Sequence, residues 1–148
     1  MRFVITAGRG EGPSDSERPL DEAMLVAYMR FNEEMHRAGI LVASEGLNPA
    51  ASGARVVASG GTRRVLDGPF AESKELVGGF YVVDVDSLDE AIAWALRCPV
   101  GMGTDDVLDV RPLTGASDIP PEVMRIIREA APTWSASMEA ERGRGAGG

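Results

Sequence analysis

The chain has 148 residues, 44% of them apolar and 26% charged, which suits one globular domain large enough to bury a core. Its net charge of -8, with 15 basic against 23 acidic residues, argues against a nucleic-acid partner, which needs a clustered basic surface. One cysteine, Cys98, rules out an intramolecular disulfide framework, and no stretch approaches the roughly 20 apolar residues of a membrane span.

The N-terminal "MRFVITAGRG" carries no secretory pattern, so a cytoplasmic location without membrane contact is expected. Residues 2–6, "RFVIT", are short and β-branched and predict a first strand, followed by a polar Gly/Pro/Ser loop. From Leu20 the spacing changes. Leu20, Met24, Ala27, Phe31, Met35 and Ala38 recur at steps of four and three, predicting an amphipathic helix that Gly39 stops. Asp21 and Glu22 sit in its first turn, where they favour the helix dipole.

"ILVASEGL", Ile40 to Leu47, reads as a second strand. Strict alternation there puts Ser44 on one face with Val42 and Glu45 on the other with Ala43. "ARVVAS" and "TRRVLD" flank Gly60-Gly61 and predict a hairpin. "GGFYVVDV" is apolar on both faces from Phe80 to Val83, as a central strand would be. Ser87 and Glu90 fit a capping box, and Leu88, Ala91, Ile92, Ala95 and Leu96 form the stripe of a second helix, ended by Cys98-Pro99.

"DVLDVRPL", Asp106 to Leu113, predicts the last strand. Without the hairpin the order is βαββαβ, the ferredoxin-like α+β pattern. Both helices then lie on one face of an antiparallel sheet, and pairing two sheets face to face is the simplest cover for the other, so a homodimer is expected. Beyond residue 113 comes an extension, residues 114–148. It has a helix over about 121–131, with Val123, Ile126, Ile127 and Ala130 on its apolar side, and a Gly-rich tail expected to be flexible.

Three blocks, "EMHRAGILVASEGLNP", "VLDGPFAESKELVGGFYVVDVDSLDEAIAWALRCP" and "VLDVRPL", resemble the YCII-related family, in particular its DGPF-type members. The resemblance spans roughly residues 1–113. It implies a ferredoxin-like fold of the dimeric α/β-barrel type, a cleft that serves as an active site, and an association with extracytoplasmic-function sigma factors. Shorter, YciI-type relatives are similar to muconolactone-isomerase-like enzymes and use a His-Asp pair. Aligned on Gly39, the position of that histidine holds Tyr28 here, and the single histidine of this chain is His36.

Asp67 precedes Gly68-Pro69, a rigid turn that either consumes the carboxylate in local hydrogen bonding or holds it out as a general base. His36, the one imidazole of the chain, flanks the apolar stripe and is either a surface residue or a catalytic partner. Tyr28, about 80° from it around the helix, is either core or a donor to a ligand oxygen. Ser44 or Glu45 is a ligand contact if it faces the cleft. Arg64 and Arg111 suit a carboxylate clamp as well as surface ion pairs, and Phe70 suits a loop anchor beside a ligand.

One His and one Cys far apart make no zinc set, and no phosphate loop, haem motif or nucleophile elbow is present. The expectation is a cofactor-independent enzyme of the isomerase, lyase or hydrolase kind acting on a small molecule, with Asp67 as acid/base and Tyr28 or His36 as its partner. The alternative is a non-catalytic module that binds a small molecule or regulates a sigma factor.

Overall fold

The computed structural model describes residues 1–8, 22–47, 53–67, 77–99 and 107–144. Six strands and four helices follow in the order β1 (Arg2–Gly8), α1 (Glu22–Arg37), β2 (Leu41–Gly46), β3 (Ala54–Ser59), β4 (Thr62–Asp67), β5 (Val77–Asp84), α2 (Leu88–Ala95), β6 (Val107–Pro112), α3 (Pro121–Ala130) and α4 (Pro132–Arg144). The main sheet has the order β2-β5-β1-β6 with every neighbouring pair antiparallel. That is the ferredoxin-like arrangement, with β5 set between β2 and β1.

Local chemistry explains the boundaries. Gly39, at φ 73°, supplies the left-handed residue that ends α1, and the next amide, of Ile40, bonds back to Met35 O at 3.2 Å. Ser87 caps α2 by accepting from the Glu90 amide at 3.2 Å, while the Glu90 carboxylate accepts from the Asp86 amide at 3.0 Å. The box thus closes one residue before the cap.

The core lies between the sheet and the two helices. Phe3, Ile5, Tyr81 and Val83 point from the sheet into Phe31 and Met35 of α1 and Ala91 and Ala95 of α2. Met35 is 0% exposed. A side chain of that kind contributes roughly 1.5–3 kcal/mol by leaving water. Of the sequence stripe on α1, Met24 stays exposed, so the buried part of this helix is its C-terminal half.

Strict alternation fails on β2. A bulge between Leu41 and Ala43 sets Leu41 opposite Val83 and Ser44 opposite Tyr81, on the helix-bearing face. Ala43 and Glu45 pair with Val82 and Phe80 on the other face. Ser44 therefore shares its face with Leu41 and not with Val42, because the extra residue resets the pleat.

The extension also differs from expectation. The chain continues past Ala131 into a second helix, with Pro132 at its first position, where a missing amide costs nothing. Met124 is the buried residue of α3, with Ile127 half-buried, while Val123 and Ile126 face out. Arg128 Nε donates to Glu139 at 3.0 Å and ties α3 to α4. Residues 145–148, the rest of the Gly-rich tail, lie outside the described residues.

Gly79 is required by close approach. A Cβ there would stand 2.8 Å from Glu45 O and 3.3 Å from Gly46 Cα, whereas one at Gly46 meets nothing within 4 Å. Gly79→Ala is therefore expected to destabilise by about 1–3 kcal/mol and Gly46→Ala to change little, as read by urea denaturation. Equal effects at the two positions would refute the packing argument.

Candidate functional site

Two polar regions flank β5. The first is buried under α1. Tyr81 is 3% exposed, and its ring meets Phe31 edge-on at 5.9 Å and Tyr28 tilted at 6.1 Å. Its hydroxyl has no partner in hydrogen-bonding geometry. Burial pushes this phenol far above its ordinary range, and the neighbouring Tyr28 hydroxyl and Cys98 thiol add to the shift. One turn from Tyr28, Asn32 donates through Nδ2 to Ser44 Oγ at 3.4 Å, and its Oδ1 is buried without a partner.

The second region is the face of the sheet turned away from α1 and α2. Register sets Ala43, Val82, Val4 and Arg111 side by side in one row, and Glu45, Phe80, Thr6 and Asp109 in the next. Val4, Thr6, Phe80, Val82 and Ala43 are half-buried, while Glu45, Asp109 and Arg111 are exposed. The floor is thus apolar with one central hydroxyl and charges at its rim. Glu45 and Asp109 stand three strand spacings apart, about 14 Å, too far to work as a carboxylate pair.

The residues singled out from the sequence divide among four places in the fold. Tyr28 and Ser44 come together around Tyr81, on the helix side. Glu45 belongs to the opposite face. His36 is exposed in the last turn of α1, eight residues and about 12 Å along the axis from Tyr28. Arg64 is exposed on β4 opposite Val57, and Asp67 ends that strand opposite Ala54. Phe70 lies outside the described residues.

Asn32, Tyr81 and Thr6 escaped the sequence reading. Only the i,i+4 spacing of Tyr28 and Asn32 and the alternation within "RFVIT" signalled them. Among the described residues no three His, Cys, Asp or Glu side chains gather as a metal site. None of the described helices is long and apolar enough to cross a membrane.

The fold defines a ferredoxin-like α+β protein with a helix-covered face and an open face. A model of the YCII-related domain matches residues 1–114, and the chain belongs to that family. It is 34% identical over 101 residues to an uncharacterised protein of Rhizobium meliloti (strain 1021), covering 68% of this chain and 74% of that one. Among solved structures it is similar to the 5-chloro-2-hydroxyhydroquinone dehydrochlorinase of Burkholderia phenoliruptrix AC1100, in complex with 2,5-dihydroxybenzoquinone. That likeness has a TM-score of 0.40 and 15% identity, over 81% of this chain and 100% of the other.

Removing the Tyr81 hydroxyl removes a buried group without a partner. Tyr81→Phe is therefore expected to leave stability unchanged or to raise it by up to about 1–3 kcal/mol in denaturant titration. A loss of 1 kcal/mol or more would mean that the hydroxyl is bonded and the niche is a structural network.

Proposed function

We propose that the chain binds a small, largely apolar organic acid on the open face of the sheet and acts on it by cofactor-independent proton transfer, as an isomerase, lyase or hydrolase does. The observation that carries this reading is the floor itself, in which Val4, Phe80 and Val82 surround Thr6 and the charged groups stand at the rim. Apolar area supplies affinity, and a few placed polar groups set orientation. Arg111, beside Val4, suits the carboxylate of such a ligand, since guanidinium pairs with it in two parallel hydrogen bonds.

Asp67 is the proposed acid/base. It ends β4 immediately before Gly68-Pro69, and the hairpin it closes is inserted between β2 and β5, the strands that carry Glu45 and Phe80. By residue type alone, the proline after Gly68 restricts the backbone next to Asp67, and proton transfer demands a held geometry. Tyr28 and His36 both belong to α1, which covers the opposite face of the sheet, so this reading gives them no part in the transfer; the active form is a homodimer.

One observation favours a second reading, a binding or regulatory module without turnover. The floor is open in the single chain, and Val123, Ile126 and Trp134 remain exposed on α3 and α4. An open floor holds a ligand without excluding water, and an apolar helix surface suits a protein partner such as a sigma factor.

Thermal shift against a panel of aromatic and aliphatic carboxylic acids tests both readings on wild type and Asp67→Asn. A ligand at 100 times its dissociation constant adds about 2.7 kcal/mol of stability. The enzyme reading expects one ligand class to stabilise both proteins and turnover to vanish only in the variant. Binding without turnover in wild type leaves the module, and no stabilisation by any acid ends the small-molecule readings and leaves only the protein-partner one.

A further inference from the structure

On its helix-bearing face the main sheet loses its side chains at one end. Register sets Ser44, Tyr81, Ile5 and Val110 in one row across that face, and Gly46, Gly79, Ala7 and Leu108 in the next. Three successive strands, β2, β5 and β1, thus bring two glycines and an alanine side by side. Burial fades with them: Ile5 and Tyr81 are buried, Gly79 and Ala7 half-buried, and Gly46 exposed. A Cβ built on Gly46 meets no atom within 4 Å. Beneath a helix layer, such a row leaves open the space that side chains fill in the rows beside it.

The N-terminal half of α1 lies toward this row, because the helix ends beside Leu41, which pairs with Val83 at the other end of the sheet. Met24 stands within about 20° of Phe31 and Met35 around the helix, so it faces the sheet as they do. Phe31 and Met35 are buried, yet Met24 is 43% exposed. One meridian of the helix goes from packed to unpacked as the floor beneath it changes to glycine.

At the inner end of this slot is the Tyr81 hydroxyl, without a partner on a residue 3% exposed. Its neighbours are Tyr28 and Cys98. Both lie on the glycine side of the Tyr81 row. Asn32 marks that row by its bond to Ser44, and Tyr28 is one turn nearer the start of α1. Helix α2 runs back along β5 from Asp84, which carries Cys98, beyond its end, the same way. The hydroxyl is therefore aimed along the sheet at the glycine row.

We infer that the slot between the first turns of α1 and the glycine row is a binding site of its own, taking a neutral aromatic compound whose hydroxyl or carbonyl oxygen pairs with the Tyr81 hydroxyl. The ligand is neutral because the row has no charged side chain, while Glu22 and Arg30 leave α1 more than about 100° from Met24 and Glu45 belongs to the other face. It is flat and aromatic because a backbone floor, the Met24 thioether and the Tyr28 ring are surfaces that suit a ring. The half-buried Tyr28 is the movable wall, and a turn of its side chain uncovers the hydroxyl. The slot shares no side chain with the open floor and does not depend on the function proposed for that face.

Calorimetric titration of the full chain with 2-naphthol and with naphthalene tests the site. 2-Naphthol is expected to bind wild type saturably. Gly46→Leu fills the slot where there is room for a side chain, and is expected to weaken that binding at least about tenfold. Met24→Trp, at an exposed helix position, closes the slot instead if Gly46→Leu does not fold. Tyr81→Phe keeps the ring and removes one hydrogen bond, so 2-naphthol is expected to bind about three- to tenfold more weakly and naphthalene as before.

No saturable binding of 2-naphthol overturns the inference, and so does binding that survives the slot-filling variant. It is overturned as well if Tyr81→Phe weakens both compounds alike or neither, because the hydroxyl then meets no ligand oxygen.

Discussion

Everything in this molecule is arranged around a strand that is apolar on both faces. β5 is paired on both edges, to β2 and to β1, so its backbone is satisfied within the sheet and its side chains must be satisfied by layers. Tyr81 and Val83 face one way and are buried; Phe80 and Val82 face the other and are half-buried. Covering the first pair fixes α1 and α2, because Phe31 and Met35 meet Tyr81 and Val83 only if both helices cross the same face. With that face taken by α1 and α2, and with α3 joined to α4, the second pair stays half-buried and the floor is open in the single chain.

The same constraint explains what could be read from the sequence. Two-sided hydrophobicity in "GGFYVVDV", the Gly60-Gly61 turn and the Ser87 cap are local signals, and each survived into the fold. Ser44 did not follow its alternation, since a bulge depends on how two strands meet and leaves no mark in a single strand. α4 was invisible because residues 132–144 carry no sustained apolar stripe, and Pro132 reads equally as an end or as a first helical residue. On α3 the inward residue is Met124, one position from Val123, a rotation that only packing decides.

The candidate site was legible in its parts and not in its grouping. Tyr28 was visible as a helix residue, but its companions Tyr81 and Cys98 lie more than fifty residues away in sequence and arrive through sheet register and a helix end. Glu45 and Ser44, adjacent in sequence, end on opposite faces of the sheet. Arg64 and Arg111 read alike as clamp candidates, yet one lies on the hairpin strand β4 and the other on β6 of the main sheet. Proximity in sequence was a poor guide to proximity across a sheet, where neighbours come from distant strands.

The two polar regions cannot share one chemical role. A phenol held as Tyr81 is held stays protonated throughout the physiological range, so it donates or does nothing and never accepts the substrate's proton. In the proposed reading the base is therefore a carboxylate, Asp67. On the open floor Glu45 and Asp109 are too distant to cooperate, so any base there works alone and needs its geometry fixed from elsewhere. An open sheet face fixes nothing above itself, because its strands constrain only the plane.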